Sequence, residues 1–425
     1  MRYGAVMTVP RVQLDSSVTE AGTSIELFTG GGGLAIGMHE AGFRHLLAVE
    51  FDRRACQTLR AGKAIPYDPE AEIPSSLDDL WPLVEGDIHE QGFDRWEGLV
   101  DVVAGGVPCQ PWSLGGAHKG YEDKRNLWPQ LLRCVRETKP RAIIAENVKG
   151  LLRPSFAPYY NYIIRQLKAP YEEPLQGEDW RDHDRRLEKI LEEDEYDRTK
   201  RYDVTFRLVN AADYGVPQVR WRVFVVAFRK DLGLKGWEIP DGEYSEVALL
   251  RDQASGGSYW ERHGIAPRPE ILSEVPPLAD GKEPWRTVRD ALTNKPALPP
   301  PLEPLKAKLE HPDFLHHFGW PGAREYAGHT PNDLDKPAKT VKAGVHGVPG
   351  GETVLRLDDG SIRYMTVREV ARVMTFPDDR QLEGPRGEQM RQLGNAVPVD
   401  LAKFMAKAVA DALRSAANRT ETPED

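Results

Sequence analysis

Ser24-Ile25-Glu26-Leu27-Phe28-Thr29-Gly30-Gly31-Gly32-Gly33 joins a short apolar run to a glycine loop, and the loop runs on into a helical pattern from Leu34 to Ala41. A run of this length that ends in turn residues reads as a buried strand. Glycines let the chain turn tightly and bring its backbone close to a ligand. The same reading repeats outward: LLAVE (46–50), VDVVAG (100–105) and AIIAEN (142–147) are further runs of this kind, with VFVVAF (223–228) as another strand. Helical stretches lie between them, for instance Leu34–Ala41 and Asn126–Thr138. Strands alternating with helices predict an α/β fold with a mostly parallel sheet and helices on both faces. Ligands of such sheets bind at the C-terminal ends of the strands, so the residues just after each run are the candidates for chemistry.

Composition bounds the rest. The chain has 425 residues, 56 basic against 66 acidic, and 40% hydrophobic side chains. That is ample for a core and excludes wholesale disorder. The length suits two or three domains, or one large domain with an insertion. No apolar run approaches the ~18 residues of a membrane span. Met1–Glu20 lacks the basic start and apolar block of a secretory leader. Three cysteines make no disulfide scaffold, so a cytoplasmic protein is expected. The net charge of −10 is local: residues 171–200 hold 12 acidic and 6 basic side chains, and the tail 421–425 adds more. DHDRRLEKILEEDEYDR reads as a solvated helix on an exposed insertion. The proline-dense stretch from Pro267 to Pro304 reads as irregular connection.

Several strand ends carry functional side chains. Glu50 closes the second run, 20 residues after Gly30, where a carboxylate can hold the two hydroxyls of a ribose. Gly30, Gly32 and Ala35 fit G-x-G-x-x-[GA], so a nicotinamide cofactor fits this half-site as well as S-adenosylmethionine does. Asp87, at a third strand end, can accept from an adenine amino group. Cys109, in Pro108-Cys109-Gln110-Pro111-Trp112-Ser113, follows a strand directly and is placed for exposure. Cys56 and Cys134 sit in helical patterns and read as small buried apolar residues. Glu146 ends a buried apolar strand, where a carboxylate is costly without a partner or a task. Strand alternation sets Gln218, Arg220 and Arg222 on one face, an arrangement that suits an anion or a base edge.

FTGGGG, PCQPWS, AENV, QVRWR and GNAVP (394–398), in that order, resemble the DNA cytosine-5 methyltransferase family, bacterial type. VEFDRRACQTL, LGGAHKGYEDKRNLW, NAADYGVPQVRWR and MTVREVARVMTFPDD match it too. The resemblance spans roughly 24–229 and 361–414. Trp112 departs from it, standing where phenylalanine is more usual. The resemblance implies a Rossmann-like methyltransferase fold with a smaller target-recognition domain. It implies a tail at 1–23, a catalytic and cofactor domain at 24–229 with an acidic insertion near 154–200, a recognition domain at 230–355, a returning segment at 356–415 and a tail at 416–425.

By the same resemblance, the cofactor is S-adenosylmethionine, held by Phe28, Gly30, Gly32, Glu50, Phe51, Asp87 and Asn395, with no metal. Asn395 reaches that pocket if the last helix, 400–414, packs back beside the first; its apolar stripe suits this. The catalytic set is Cys109 as nucleophile, Glu146 at ring nitrogen 3, Arg222 at the 2-oxygen and Arg220 in support. The partner is double-stranded DNA with its target base flipped out. Gln110, Ser113, Lys119, Arg125, Gln218, Lys339, Thr340 and Lys342 are the expected DNA contacts, and the glycines of the loop after Cys109 give it the build to close. Residues 230–345 hold 15 basic and 18 acidic side chains, so DNA-facing charge there must be clustered. Lys336, Lys339 and Lys342 are the best cluster, with Arg286 and Arg289 weaker. A monomer serving a restriction-modification or other defence system is expected. Three readings compete: the tRNA-methylating branch of the family, a nicotinamide-dependent oxidoreductase that leaves PCQ, ENV and QVRWR unexplained, and a non-catalytic nucleic-acid-binding module.

Overall fold

The computed structural model describes residues 18–108, 126–193, 195–254, 257–268, 281–293, 296–301, 314–325, 330–343 and 353–421. Its centre is an eight-stranded sheet of β1 (Gly22–Leu27), β2 (Phe43–Glu50), β3 (Ala64–Pro66), β4 (Trp81–Glu85), β5 (Val102–Gly106), β6 (Ala142–Val148), β7 (Tyr202–Asn210) and β8 (Trp221–Arg229), in the spatial order β3-β4-β2-β1-β5-β6-β8-β7. Seven strands run the same way and β8 runs against them, between β6 and β7. The predicted strands are all present. β7 lies outside the prediction: its VTFR segment is only half-buried and shows no apolar run.

The chain leaves β1 toward β2 on one side and returns on the other through β5. That reversal opens a crevice above the C-terminal ends of β1, β2 and β5, the usual ligand position in such sheets. α1 (Gly33–Glu40), α2 (Arg53–Arg60), α3 (Trp128–Thr138) and α4 (Ala157–Lys168) follow strands and cover the faces. α5 (Trp180–Leu191) belongs to the acidic segment. α6 (Glu246–Asp252), α7 (Tyr259–His263) and α8 (Val288–Thr293) follow β8, and α9 (Val367–Val373), α10 (Arg386–Asn395) and α11 (Val399–Glu421) end the chain.

The C-terminal helix does pack beside α1. A Cβ on Gly37 of α1 would stand 2.5 Å from Ala402 Cβ of α11, and one on Gly33 would stand 2.1 Å from the Val397 carbonyl oxygen. Glycine at both positions is what lets the two helices touch. Leu401, Met405, Val409 and Leu413 supply the buried stripe. Thr366 and Glu369 form a capping box at the start of α9, and α10 lies between α9 and the last helix.

Two expectations change. α5 is not a merely solvated helix: His183 and Leu187 are fully buried, Tyr162 Oη bonds His183 Nδ1 at 2.7 Å, and Trp180 meets Tyr159 edge-on. Arg165 of α4 also pairs with Asp184 and Glu188, so the acidic face is partly neutralised at a packed interface. The 355/356 boundary falls within one short strand, Val354–Arg356, which pairs with Ile362–Tyr364 on one edge and Asn332–Asp333 on the other. Val288, Leu334, Ala338, Val341 and Leu355 share a core with Ala35, Ile36, Leu59 and Val370, so the region after β8 is built onto the core formed by α1, α2 and α9.

Candidate active site

Sequence order dictates the first wall. β1 ends at Leu27, and Phe28, Gly30 and Gly32 then take positive φ values of 59°, 56° and 90° before α1 begins. Such a φ favours glycine, and the loop exposes backbone donors at the N-terminal end of a helix. Glu50, at the end of β2, folds its carboxylate back onto this loop: Gly30 N–H donates to Oε2 at 2.5 Å and Asp52 N–H to Oε1 at 2.6 Å. Burial pushes Glu50 above the usual carboxylate range, against the pull of those two amides. Beside it Phe51 is 77% exposed, an uncovered aromatic face at the mouth of the crevice. Asp87 follows β4 half-exposed, and His89, through its backbone N–H and its ring, holds Asp87 below its ordinary value.

The late segment returns to this wall as expected. Ala396 and Val397 abut Gly33, which brings the exposed Asn395 to the loop. Phe28, Gly30, Gly32, Glu50, Phe51 and Asn395 therefore border one crevice. Two residues of this wall have no sequence signal of their own. Arg380 is buried, donates to the Gly31 carbonyl at 2.8 Å and lies so close that a Cβ on Gly32 or Gly62 would strike it. Gln392 Nε2 donates to the Glu383 carbonyl, while its buried Oε1, which faces Gly31, has no hydrogen-bond partner among the described residues. Glu26, two residues before Phe28, is buried, and its Oε2 has no hydrogen-bond partner among the described residues; burial raises it well above the carboxylate range.

The second wall is built by β5, β6 and β8. Glu146 lies opposite Gly106 of β5 and Phe224 of β8. A side chain at position 106 would crowd its Oε2. Arg222 Nε meets Glu146 Oε1 at 2.7 Å, with both side chains about nine-tenths buried. Burial pushes Glu146 up and the guanidinium groups of Arg222 and Arg220 oppose it. The arrangement gives a carboxyl that can hold a proton beside a fixed cation. Asn147 Nδ2 donates to the Val107 carbonyl at 3.1 Å, anchoring the chain two residues before Cys109. Cys109, Gln110, Ser113, Lys119 and Arg125 lie outside the described residues. Cys56 and Cys134 are buried, and burial raises both thiols, Cys56 to about 12.

Arg220 and Gln218 work inside the protein. Arg220 is fully buried and donates to the carbonyls of Val341 (2.7 Å), Gly394 (2.7 Å) and Ala396 (3.0 Å). It clamps the segment around Val341 and the Asn395 turn to the start of β8, which makes it a positioning residue. Gln218, expected at DNA, is 0% exposed; its Oε1 accepts from Val341 N–H and its Nε2 lies 3.0 Å from Met374 Sδ. The reason is a bridge: residues 217–219 pair with Ala338, which turns this face of the strand inward. Thr340 donates to the Val219 carbonyl at 2.8 Å, and Lys339 reaches Thr330. Lys342 is exposed where the chain crosses Gly394. Arg289 is no DNA contact either, because it is buried against Asp335 and Asp358. Among the described residues no group of three or more metal-ligating side chains gathers.

The sequence and the fold have parallels among known proteins. The profile of the family described as C-5 cytosine-specific DNA methylase matches residues 22–170, 180–266 and 316–411. The Type II methyltransferase M.PspPI of a Psychrobacter strain is 32% identical over 92% of this chain and 80% of its own length. The Type II methyltransferase M.NgoMIV of Neisseria gonorrhoeae is 29% identical over 92% of this chain and 98% of its own. Among solved structures, a mutant of the Spodoptera frugiperda DNMT2 superposes with a TM-score of 0.52 at 16% identity, covering 91% of this chain and 99% of that one. With the family profile matching most of its length, the chain belongs to the C-5 cytosine-specific DNA methylases.

Proposed function

We propose that this protein transfers a methyl group to carbon 5 of cytosine within a specific double-stranded DNA sequence, in a restriction-modification setting. The observation that carries the reading is the buried Glu146–Arg222 pair on β6 and β8, beside the strand that leads into Cys109. Carbon 5 of cytosine is a poor nucleophile. Addition of the Cys109 thiolate to carbon 6 makes carbon 5 an enamine carbon able to attack an electrophilic methyl group. Negative charge then grows on the ring. Glu146 supplies a proton at ring nitrogen 3, and Arg222 stabilises the 2-oxygen. A water molecule takes the carbon 5 proton, the Cys109 sulfur leaves as thiolate, and ring nitrogen 3 returns its proton to Glu146, which restores the aromatic ring.

The methyl group comes from S-adenosylmethionine when it is bound. The crevice suits that molecule by its chemistry: an uncovered aromatic ring at Phe51, a carboxylate at Glu50, the unpartnered Gln392 Oε1 and an open glycine loop. Phe28 and the Gly30–Gly32 backbone take its methionine part, Glu50 the ribose hydroxyls, Phe51 and Asp87 the adenine, and Asn395 completes the pocket. Of the expected recognition contacts, the exposed Lys342 meets the duplex while Thr340 holds its segment to Val219, and the target base leaves the helix to reach Glu146. Expression in a methylation-free host followed by bisulfite sequencing tests the reading. New 5-methylcytosine in one sequence context is the expected result; modification confined to tRNA would assign the other branch.

A further inference from the structure

Directly after Glu146 the chain presents Val148, Lys149 and, one turn on, Arg153, all exposed on the rim of the crevice. Trp221 joins them from β8, 40% exposed, with the Lys149 Nζ 5.2 Å from its ring centroid. The Arg153 guanidinium stands over Gly150, about 4 Å from where a Cβ would lie. Strand alternation explains the placement: Arg220 and Arg222 point one way, to the clamp and to Glu146, so Trp221 between them faces the other.

Acidic side chains outnumber basic ones by ten (66 − 56), and cations such as Arg133, Arg136, Arg141 and Arg165 each hold a carboxylate. Among the described residues, neither Lys149 nor Arg153 has an acidic partner. An exposed indole with Lys149 against its ring and a second cation, Arg153, one turn further along the chain, at the lip of a site for a polyanion's base, is complementary to a sugar-phosphate backbone.

We infer that Lys149, Arg153 and Trp221 form a DNA-backbone clamp: the two cations take phosphates next to the target cytosine on its own strand, and the indole packs on the adjoining sugar. The inference rests on the proposed reading of the site as a cytosine site and adds a DNA-binding surface outside the recognition region. It makes rim binding independent of sequence, because phosphates carry none.

The test uses the full chain and a fluorescein-labelled 30-base-pair duplex, with affinity measured by anisotropy over a series of salt concentrations. Removing one cation that neutralises a phosphate lowers the slope of log K against log salt by about 0.9. Lys149→Gln with Arg153→Gln therefore reduces the slope by about 1.8, while calorimetric affinity for S-adenosylmethionine stays as in the wild type. Trp221→Ala weakens duplex binding about tenfold, within the range for an aromatic side chain packed on nucleic acid. Fluorescence of the wild type minus that of Trp221→Phe is quenched on adding duplex. An unchanged slope, or an indole blind to duplex, overturns the clamp. The two hypotheses fail separately: wild-type protein that methylates no DNA, with a slope that still falls in the double variant, sinks the activity and keeps the clamp. Methylation with an unchanged slope does the reverse.

Discussion

Glu146→Gln is the most informative single substitution. Glutamine has the shape of glutamate and keeps an acceptor for Arg222 Nε, which lies 2.7 Å from the carboxylate, so the wall of β5, β6 and β8 is preserved. What disappears is the titratable proton. Positioned general acids contribute ~10²–10⁴ in rate, about 3–5 kcal/mol, and kcat should fall by that factor. The pH profile carries the sign. Burial raises the Glu146 pKa, so the proton is held at low pH and lost as pH climbs through the raised value. Wild-type kcat therefore falls on that limb, and the glutamine variant shows no such limb. Transfer of tritiated methyl groups to duplex DNA, with both substrates saturating, measures the two effects. Duplex and S-adenosylmethionine affinities are determined separately, so a binding loss is not taken for a chemical one. A variant within ~10-fold of wild type, or one that keeps the same limb, would refute the acid role.

Four other substitutions separate cofactor, loop and insertion. Phe51→Ala should raise the Kd for S-adenosylmethionine about two- to tenfold, the worth of one aromatic contact, and Glu50→Ala more, since Gly30 and Asp52 amides lose their acceptor. Calorimetry decides this, and NADH binding in its place would reject the cofactor. Arg380→Met removes the donor to the Gly31 carbonyl. It should cost ~1–3 kcal/mol of stability in urea unfolding and raise KM for S-adenosylmethionine; a shift in neither would show that the loop holds its own shape. Leu187→Ala, in the packed acidic segment, should destabilise by ~2–5 kcal/mol. A neutral outcome would return α5 to a dispensable surface addition.

The sequence makes the sheet legible because its buried strands are nearly unbroken apolar runs, as in LLAVE and AIIAEN. β7 is hidden because edge strands such as Tyr202–Asn210 bury little. Glu50 and Glu146 are readable from their places at strand ends, where the fold requires chemistry to sit; Arg222 is readable from alternation along its strand, and Phe51 only through the family resemblance. Gln218 and Arg220 show the limit of that logic. Alternation identifies their common face, but which way that face points depends on Ala338 and Val341, more than a hundred residues later. Arg380 and Gln392 are invisible for the same reason, since their meaning comes from an approach across the whole chain to Gly31. α5 misleads because charge count measures the solvent face, and the buried His183 and Leu187 are few.

The account turns on one covalent bond. A duplex carrying 5-fluorocytosine at the mapped target position lets sulfur add and methyl transfer proceed, but fluorine cannot leave as the carbon 5 proton does, so the adduct persists. Intact mass of protein incubated with this duplex and S-adenosylmethionine should rise by the mass of the methylated strand, with the bond mapped to Cys109 after digestion and absent in Cys109→Ser. Methylation that proceeds in Cys109→Ser, or an adduct on another residue, would contradict the mechanism.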